Sequence, residues 1–153
     1  MTGPTHCFTP DLLQGKRALV TGGGTGIGRA IAFALAQAGA DLILAARQLP
    51  ALQATAKEIE TETGRNVLVT QVDIRSLDSV QALAGFVTEN GGQVDILVNN
   101  AGGQFPQAAE NYSANGWRSI IDLNLNGTWN VTQAVGQQML KGHGGVICNI
   151  IMT

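Results

Sequence analysis

The sequence predicts an α/β protein built on one doubly wound parallel sheet in three α/β/α layers. Three observations support this prediction. Short apolar runs recur along the 153 residues, and amphipathic helical segments separate them. The first apolar run leads directly into a cluster of glycines and then into a helix. Strands that alternate with helices form βαβ units, in which the strands are parallel.

The first strand and the first helix lie on either side of the glycine cluster. Residues 17–21 form the apolar run, and the helix is expected from Gly26 to a stop near Gly39. One apolar side of this helix is predicted from residues at helical spacing, namely Ile27, Ile31, Leu35 and Ala38, with Ala30 and Ala34 beside them.

The remaining elements follow in alternation. Strands are predicted at 41–46, 66–72, 94–98 and 145–151, and helices at 50–62, from 76 to the glycines at 91–92, and at 113–140. The third helix is expected to turn one set of apolar side chains inward, namely Leu77, Val80, Leu83, Ala84 and Val87. Residues 1–14 are expected to form a flexible arm. Residues 15–153 are expected to form one domain, truncated after strand five.

The composition restricts the classes of partner. The chain is 44% hydrophobic and 13% charged, against a usual charged fraction of ~25%. So little charge predicts either that partner subunits cover part of the surface or that a covering segment is missing. A net charge of −2 without a basic block argues against nucleic acid and anionic membranes as partners.

No targeting, membrane or metal signal is expected. No apolar run approaches the ~20 residues of a membrane span, and residues 1–10 lack the basic and apolar regions of a secretory signal. Cys7 and Cys148 are expected to be reduced thiols, and the chain is predicted to be cytoplasmic. His6 and His143 have no ligand-spaced neighbours, so no metal site is predicted.

The glycine cluster predicts an anion site. Glycines let the backbone approach a phosphate closely, and the unpaired N–H groups of a first helical turn point towards it. The residues predicted to bind a dinucleotide here are Thr21, Gly22, Gly24, Thr25, Gly26, Ile27 and Gly28. A glycine-rich surface turn without a ligand is the alternative.

The spacing T-G-x-x-x-G-x-G, formed by Thr21, Gly22, Gly26 and Gly28, resembles that of the short-chain dehydrogenase/reductase family. The resemblance implies a Rossmann-type fold and a nicotinamide-dependent oxidoreductase with a small-molecule substrate. It extends from about residue 15 to the end of the sequence and corresponds to the N-terminal half of the family.

The residue after the second strand predicts which nicotinamide cofactor binds. In NAD-preferring Rossmann proteins an Asp or Glu about 20 residues past the glycine turn accepts the ribose hydroxyls. Here the strand ends in Ala45-Ala46-Arg47, with no acid. Arg47 can hold a 2′-phosphate through paired, charge-assisted hydrogen bonds, which favours NADP(H). A solvated charge at a strand end is the alternative.

Two further segments extend the resemblance. Asp73 and Ile74 follow the third strand, where relatives place an Asp against the adenine amino group. A carboxylate that only approaches the next helix is the alternative. Residues 99–102 match the family motif N-N-A-G, whose asparagines can bond across the turn and brace the sheet under the nicotinamide ribose. The cofactor-binding residues predicted there are Asn100, Ala101 and Gly102.

Asn124 is the candidate catalytic residue. It falls within an apolar stripe of the long helix, formed at steps of three and four by Trp117, Ile121, Thr128, Val131, Val135 and Met139. A buried amide needs hydrogen-bond partners. In the family, the Asn of the matching N-x-x-G segment holds a water in the catalytic proton relay. A structural Asn bonded to neighbouring backbone is the alternative.

The family's Tyr-x-x-x-Lys pair, which follows strand five and supplies the general acid/base, has no match in this sequence. The only tyrosine, Tyr112, precedes the long helix, and Gly116 stands where its Lys would be. The usual Ser position is Met152, beside Thr153. The 153-residue chain alone is therefore expected to be inactive. A non-enzymatic NADP(H)-binding module and an inactive relative that joins an intact subunit are the alternatives.

Within the family, residues 102–105 and 144–151 look most like the peroxisomal-type trans-2-enoyl-CoA reductases. That resemblance implies reduction by NADPH of the C=C bond of a 2-enoyl-CoA thioester, a reaction of fatty acid metabolism. Carbonyl substrates stay open. The family also implies a homo-oligomer, a dimer or tetramer, formed through the 113–140 helix.

Overall fold

The computed structural model describes residue 9 and residues 11–151. The predictions made for His6, Cys7, Met152 and Thr153 fall outside the described residues. The last part of the predicted arm forms turns over residues 11–15, where the Leu13 amide donates a 2.7 Å hydrogen bond to the Ala38 carbonyl. The division into arm and domain stays a prediction.

Five parallel strands form one sheet in the described part of the chain, which confirms the predicted fold. In chain order the strands are β1 (Arg17–Thr21), β2 (Asp41–Ala46), β3 (Val67–Gln71), β4 (Ile96–Asn99) and β5 (Val146–Asn149). Across the sheet their order is β3-β2-β1-β4-β5, and each neighbouring pair is parallel. The direction of winding therefore reverses between β1 and β4.

Helices connect these strands. They are α1 (Gly26–Gln37), α2 (Leu49–Thr63), α3 (Leu77–Glu89), α4 (Ala114–Ile121) and α5 (Gly127–Lys141). A short 3₁₀ turn covers Ala109–Asn111, and a π-helical turn, Asp122–Asn126, joins α4 to α5. Residues 113–141 are thus one continuous helical run, as predicted, but with an unpredicted π turn in its middle.

Two apolar clusters, one on each face of the sheet, form the core. On one face, α1 and α2 contribute Ala32, Ala36, Leu52, Ala56 and Ile59. On the other face, α3 and α5 contribute Val80, Leu83, Val87, Val131, Val135 and Met139. Because both faces are covered, β2 reads as a continuous apolar run rather than an alternating one. The clusters confirm the predicted three layers.

The prediction of which α1 residues face the core was partly wrong. The buried residues of this helix are Gly28, Ala32 and Ala36, whereas the side chain of Ile27 is 65% exposed. Ile31 and Leu35 are only half-buried. Small side chains let the helix lie close to the sheet, and the larger apolar residues are displaced towards the sides.

Two other predictions of burial were wrong. Leu77 is 61% exposed because it is the first residue of α3, ahead of the turn that packs on the sheet. Trp117 is 59% exposed, and Asn124 is exposed as well, so the buried stripe of the long helix begins only in α5.

β5 forms an edge of the sheet, and all four of its residues are exposed. Cys148 lies in this strand as an exposed free thiol. Among the described helices, none combines the length and the apolar character that are needed to cross a membrane.

Candidate functional site

A cleft of about 770 Å³ opens at the carboxyl ends of the strands. It lies where the winding of the sheet reverses, which is the usual ligand position in open α/β sheets. Most of the predicted site residues line it, namely Gly22, Gly24, Thr25, Ile27, Arg47, Asp73, Ile74, Asn100, Ala101, Gly102 and Asn124. Three predicted residues do not line it, namely Thr21, Gly26 and Gly28.

Gly28 lies beneath the cleft and holds the glycine turn close to α1. A Cβ at Gly28 would approach the Gly22 carbonyl oxygen and the Asn100 amide nitrogen to less than 3.0 Å. Gly22 itself has a φ of 68°, a left-handed conformation that favours glycine. The two glycines therefore serve the shape of the turn.

Thr21 ties the turn after β1 to the turn after β4. Its buried hydroxyl accepts hydrogen bonds of 3.0 Å from the backbone amides of Asn100 and Ala101. In return, the side-chain amide of Asn100 donates to the Thr21 carbonyl at 3.0 Å. The expected bonding of an asparagine across this turn is present in the structure.

The start of α1 offers unpaired donors to the cleft. Thr25 is the N-cap, and its side chain makes no capping bond. Within the described residues, no acceptor hydrogen-bonds the amides of Thr25, Gly26 and Ile27, and of these residues Thr25 and Ile27 line the cleft. Free amides at a helix N-terminus attract an anion, because the helix dipole adds to the hydrogen bonds.

Charged side chains stand at the ends of β2 and β3. Arg47 is exposed and lines the cleft, and its carbonyl accepts a 2.8 Å hydrogen bond from the Gln71 side chain. Asp73 also lines the cleft, but its carboxylate pairs with Arg75 at 2.6 Å. The hydrogen bond from the Arg75 guanidinium lowers the pKa of Asp73 to about 2, against the opposing effect of burial.

Ile74 is held in place by the long helix. The side-chain amide of Asn130 donates to the Ile74 carbonyl at 3.1 Å. A Cβ at Gly127 would approach the Ile74 side chain to 2.7 Å, so α5 packs tightly against this residue. The segment after β3 is thus a fixed wall of the cleft.

Asn124 has all of its amide engaged with backbone. Its Oδ1 accepts from the Gly103 amide at 3.0 Å, and its Nδ2 donates to the carbonyls of Gly103 at 2.8 Å and Ile120 at 2.9 Å. The side chain faces the cleft rather than the core. These bonds match the alternative in which Asn124 is a structural residue bonded to neighbouring backbone. A role in a proton relay stays a prediction.

The sequence analysis missed an apolar part of the cleft lining. This part consists of Ile120, Ile121, Leu123, Leu125, Ile150 and Ile151. Ile150 and Ile151 could have been predicted from their position. Residues after β5 lie at the same edge of a parallel sheet as those after β1 and β4. Asn149, which also lines the cleft, accepts a 2.9 Å hydrogen bond from the buried Asn99 side chain.

Tyr112 lies outside the cleft lining, and its hydroxyl donates to the Phe105 carbonyl at 2.8 Å. Over the described ranges, 9 and 11–151, no group of three or more His, Cys, Asp or Glu side chains could hold a metal ion. The lining of the cleft combines backbone donors, the Arg47 cation, the Asp73 carboxylate paired with Arg75, and apolar side chains.

The sequence profile described as short chain dehydrogenase matches residues 16–152. The chain belongs to this family. The peroxisomal 2,4-dienoyl-CoA reductase of Danio rerio is 37% identical over 149 residues, which are 97% of this chain and 50% of that protein. The 2-dehydro-3-deoxy-D-gluconate 5-dehydrogenase of Bacillus subtilis is 43% identical over 136 residues, which are 88% of this chain and 52% of that protein.

Solved structures of short-chain dehydrogenases confirm the fold. The citronellol catabolism dehydrogenase of Pseudomonas aeruginosa superposes with a TM-score of 0.87 at 37% identity, over 94% of this chain and 58% of its own. The L-sorbose reductase of Gluconobacter frateurii, solved with NADPH and L-sorbose, gives 0.86 at 30% identity, over 92% of this chain and 54% of its own. The chain spans about half the length of the Danio rerio and Bacillus subtilis relatives.

Proposed function

We propose that this chain is the NADP(H)-binding part of a short-chain reductase that acts on a conjugated acyl-CoA thioester. The observation that carries the proposal is the meeting of three features in one cleft: the unpaired amides of Thr25 and Ile27, the cation of Arg47, and apolar lining residues. The volume of about 770 Å³ falls within the range of ~300–1,000 Å³ that is usual for ligand sites.

The residues fit a dinucleotide. The amides of Thr25 and Ile27 would bind the pyrophosphate, since both residues line the cleft and no described residue pairs with these amides. Asn100, Ala101 and Gly102 would lie beneath the nicotinamide ribose. Asp73 and Ile74 would form the adenine wall, with the Asp73 carboxylate fixed by Arg75.

Arg47 supports NADP(H) rather than NAD(H). The end of β2 carries no carboxylate that would repel a 2′-phosphate, and the guanidinium is exposed at the cleft. A relative of the same fold was solved with NADPH. When bound, the cofactor supplies a hydride to the substrate.

The apolar lining residues of the cleft support an acyl substrate. Six isoleucine and leucine side chains from segments 120–125 and 150–151 line it, and such a surface binds an alkyl chain by the hydrophobic effect. The Danio rerio relative is named as a 2,4-dienoyl-CoA reductase, which matches the predicted reduction of a C=C bond in an acyl-CoA thioester. The Bacillus subtilis relative is named for a sugar acid, so a carbonyl substrate is the second candidate.

Asn124 is proposed to take part in proton transfer. Its side chain is fixed by Gly103 and Ile120, so that a water can be held at the helix.

The partner is proposed to be a second copy of the chain that packs on the helical run 113–141. Exposed large apolar residues of this run that lie outside the cleft lining, Trp117, Trp129 and Leu140, support that proposal. The predicted cytoplasmic location stays a prediction.

The test is consumption of NADPH by the full-length protein with 2,4-dienoyl-CoA, 2-enoyl-CoA and 3-oxoacyl substrates. Turnover of either unsaturated thioester is expected. Activity on 3-oxo substrates alone would contradict the C=C assignment. A full-length protein that binds NADPH and turns over none of them would favour the non-enzymatic module.

A further inference from the structure

The start of α2 lies directly behind the glycine turn. A Cβ at Gly24 would approach the Leu52 amide nitrogen to 3.1 Å and the Ala51 carbonyl carbon to 3.2 Å. One turn further along α2, Thr55 is only 3% exposed. Its hydroxyl donates a 2.9 Å hydrogen bond to the Gly24 carbonyl. Within the described residues this is the only hydrogen bond that the Gly24 carbonyl accepts.

This bond determines where the next amide points. The described chain contains no cis peptide bond, so the Thr25 N–H points opposite to the Gly24 carbonyl. With the carbonyl directed at Thr55 in α2, the Thr25 N–H faces the other side of the turn. Gly24 and Thr25 both line the cleft, whereas Thr55 does not. No described acceptor bonds the Thr25 amide, so it stays available to a ligand.

We propose that Thr55 is a positioning residue for the pyrophosphate site. Its hydroxyl holds the peptide between Gly24 and Thr25 in the orientation that presents an N–H, and not a carbonyl oxygen, to a bound phosphate. Without the hydroxyl, the buried Gly24 carbonyl loses its partner and is driven to rotate towards water in the cleft. There it would repel a phosphate. The inference rests on the proposed binding of a dinucleotide in this cleft.

The test compares Thr55→Val with the matched control Thr61→Val, in titrations with NADPH and with adenosine 2′-monophosphate, which lacks a pyrophosphate. Thr61 lies on the same helix at an exposed position, and among the described residues its hydroxyl bonds only to the Lys57 carbonyl of that helix. Loss of one neutral hydrogen bond should raise the Kd for NADPH by about twofold to tenfold. The Kd for adenosine 2′-monophosphate should stay within about twofold of the wild-type value, as should both Kd values of the control.

Two more variants separate the hydroxyl from the packing. Thr55→Ser keeps the hydroxyl and is expected to bind NADPH like the wild type, whereas Thr55→Ala lacks it and should bind like Thr55→Val. The proposal would be overturned if NADPH affinity across the Thr55 variants followed side-chain size and not the presence of the hydroxyl. It would also be overturned if the variants lost affinity equally for NADPH and for adenosine 2′-monophosphate. A wild-type chain that does not bind NADPH would instead overturn the proposed function.

Discussion

The charge of the cleft comes from a few side chains at the ends of β2 and β3. Arg47 is exposed and carries its charge into the cleft, while Arg75 is paired with Asp73. The two arginines therefore differ in what they can offer a ligand. An unpaired guanidinium can bind a phosphate through its N–H donors, whereas a paired guanidinium already donates hydrogen bonds to a carboxylate.

Replacement of Arg47 by Ala tests its role. We expect the variant to bind NADPH more weakly by about 1.5–3 kcal/mol, because hydrogen bonds to a charged phosphate are lost, and to bind NADH almost unchanged. Isothermal titration with both cofactors measures the effect. The matched control is Arg29→Ala, since Arg29 lies outside the cleft and pairs with Glu58. Equal losses for NADPH and NADH would remove Arg47 from the phosphate site.

Asp73→Asn should destabilise the chain in a pH-dependent way. The pKa of Asp73 is lowered to about 2 by Arg75, so the folded state favours the ionised form. That stabilisation is fully present above the ordinary pKa near 3.8 and is lost as the pH falls towards 2. Since the pair is partly exposed, its contribution should be about 0.2–1 kcal/mol.

Urea unfolding of the wild type and of Asp73→Asn between pH 7 and pH 2.5 measures this difference, which should shrink over the most acidic part of the range. Asp11→Asn is the control, because Asp11 is exposed and forms no ion pair among the described residues. A difference that stays constant with pH would show that the ion pair contributes nothing.

Single residues also show where sequence reasoning stops. Most of the predicted motif residues line the cleft, because their backbone roles depend on local chain geometry, whereas Thr21, Gly26 and Gly28 do not line it. Asn124 was expected to be buried, since helical periodicity placed it in an apolar stripe. It is exposed, because the stripe loses its partner surface before α5, and periodicity gives no information on where a helix leaves the sheet.

Among the elements, the strand-turn-helix unit of β1 and α1 depends on the contact of Gly28 with Gly22. Gly28→Ala should destabilise the chain by about 2 kcal/mol or more, because the new Cβ would overlap the Gly22 carbonyl, which is backbone and cannot move aside. Gly85→Ala is the control. Gly85 lies in α3 with open space around it, and alanine there should stabilise the helix by about 0.5–1 kcal/mol.

Thermal unfolding followed by circular dichroism measures both variants. A Gly28→Ala protein with wild-type stability and wild-type NADPH affinity would contradict the close packing on which the site is built.

The π turn between α4 and α5 could not be predicted from the sequence. At its end, Gly127 packs tightly against Ile74 of a distant segment, and the sequence gives no sign of this contact. The extra residue of the π turn brings Asn124 to the cleft wall, where it bonds to Gly103. The length and the caps of the helical run could be predicted from Ser113 and Gly142. The irregular turn that orients Asn124 could not.

At the scale of the whole molecule, the edge strand β5 is the exposed feature that matters most. Its first residue, Val146, is 62% exposed, and its backbone edge has no neighbouring strand among the described residues. The order of the strands, with β1 beside β4, could not be read from the sequence, because strand pairing depends on contacts far apart in the chain. An uncovered apolar edge invites association with other chains.

We expect the isolated 153-residue chain to associate, and Val146→Lys to reduce that association, because a charge at an edge strand opposes pairing with another strand. Size-exclusion chromatography with light scattering measures it. Leu12→Lys is the control, since Leu12 is an exposed leucine in the turn before β1. A monodisperse wild-type monomer that melts cooperatively would contradict the expectation.

The most direct test of the cofactor site is a crystal structure of the chain with NADPH. We expect the pyrophosphate on the amides of Thr25 and Ile27, and the 2′-phosphate within hydrogen-bonding distance of the Arg47 guanidinium. A cofactor bound elsewhere, or a 2′-phosphate directed away from Arg47, would contradict it.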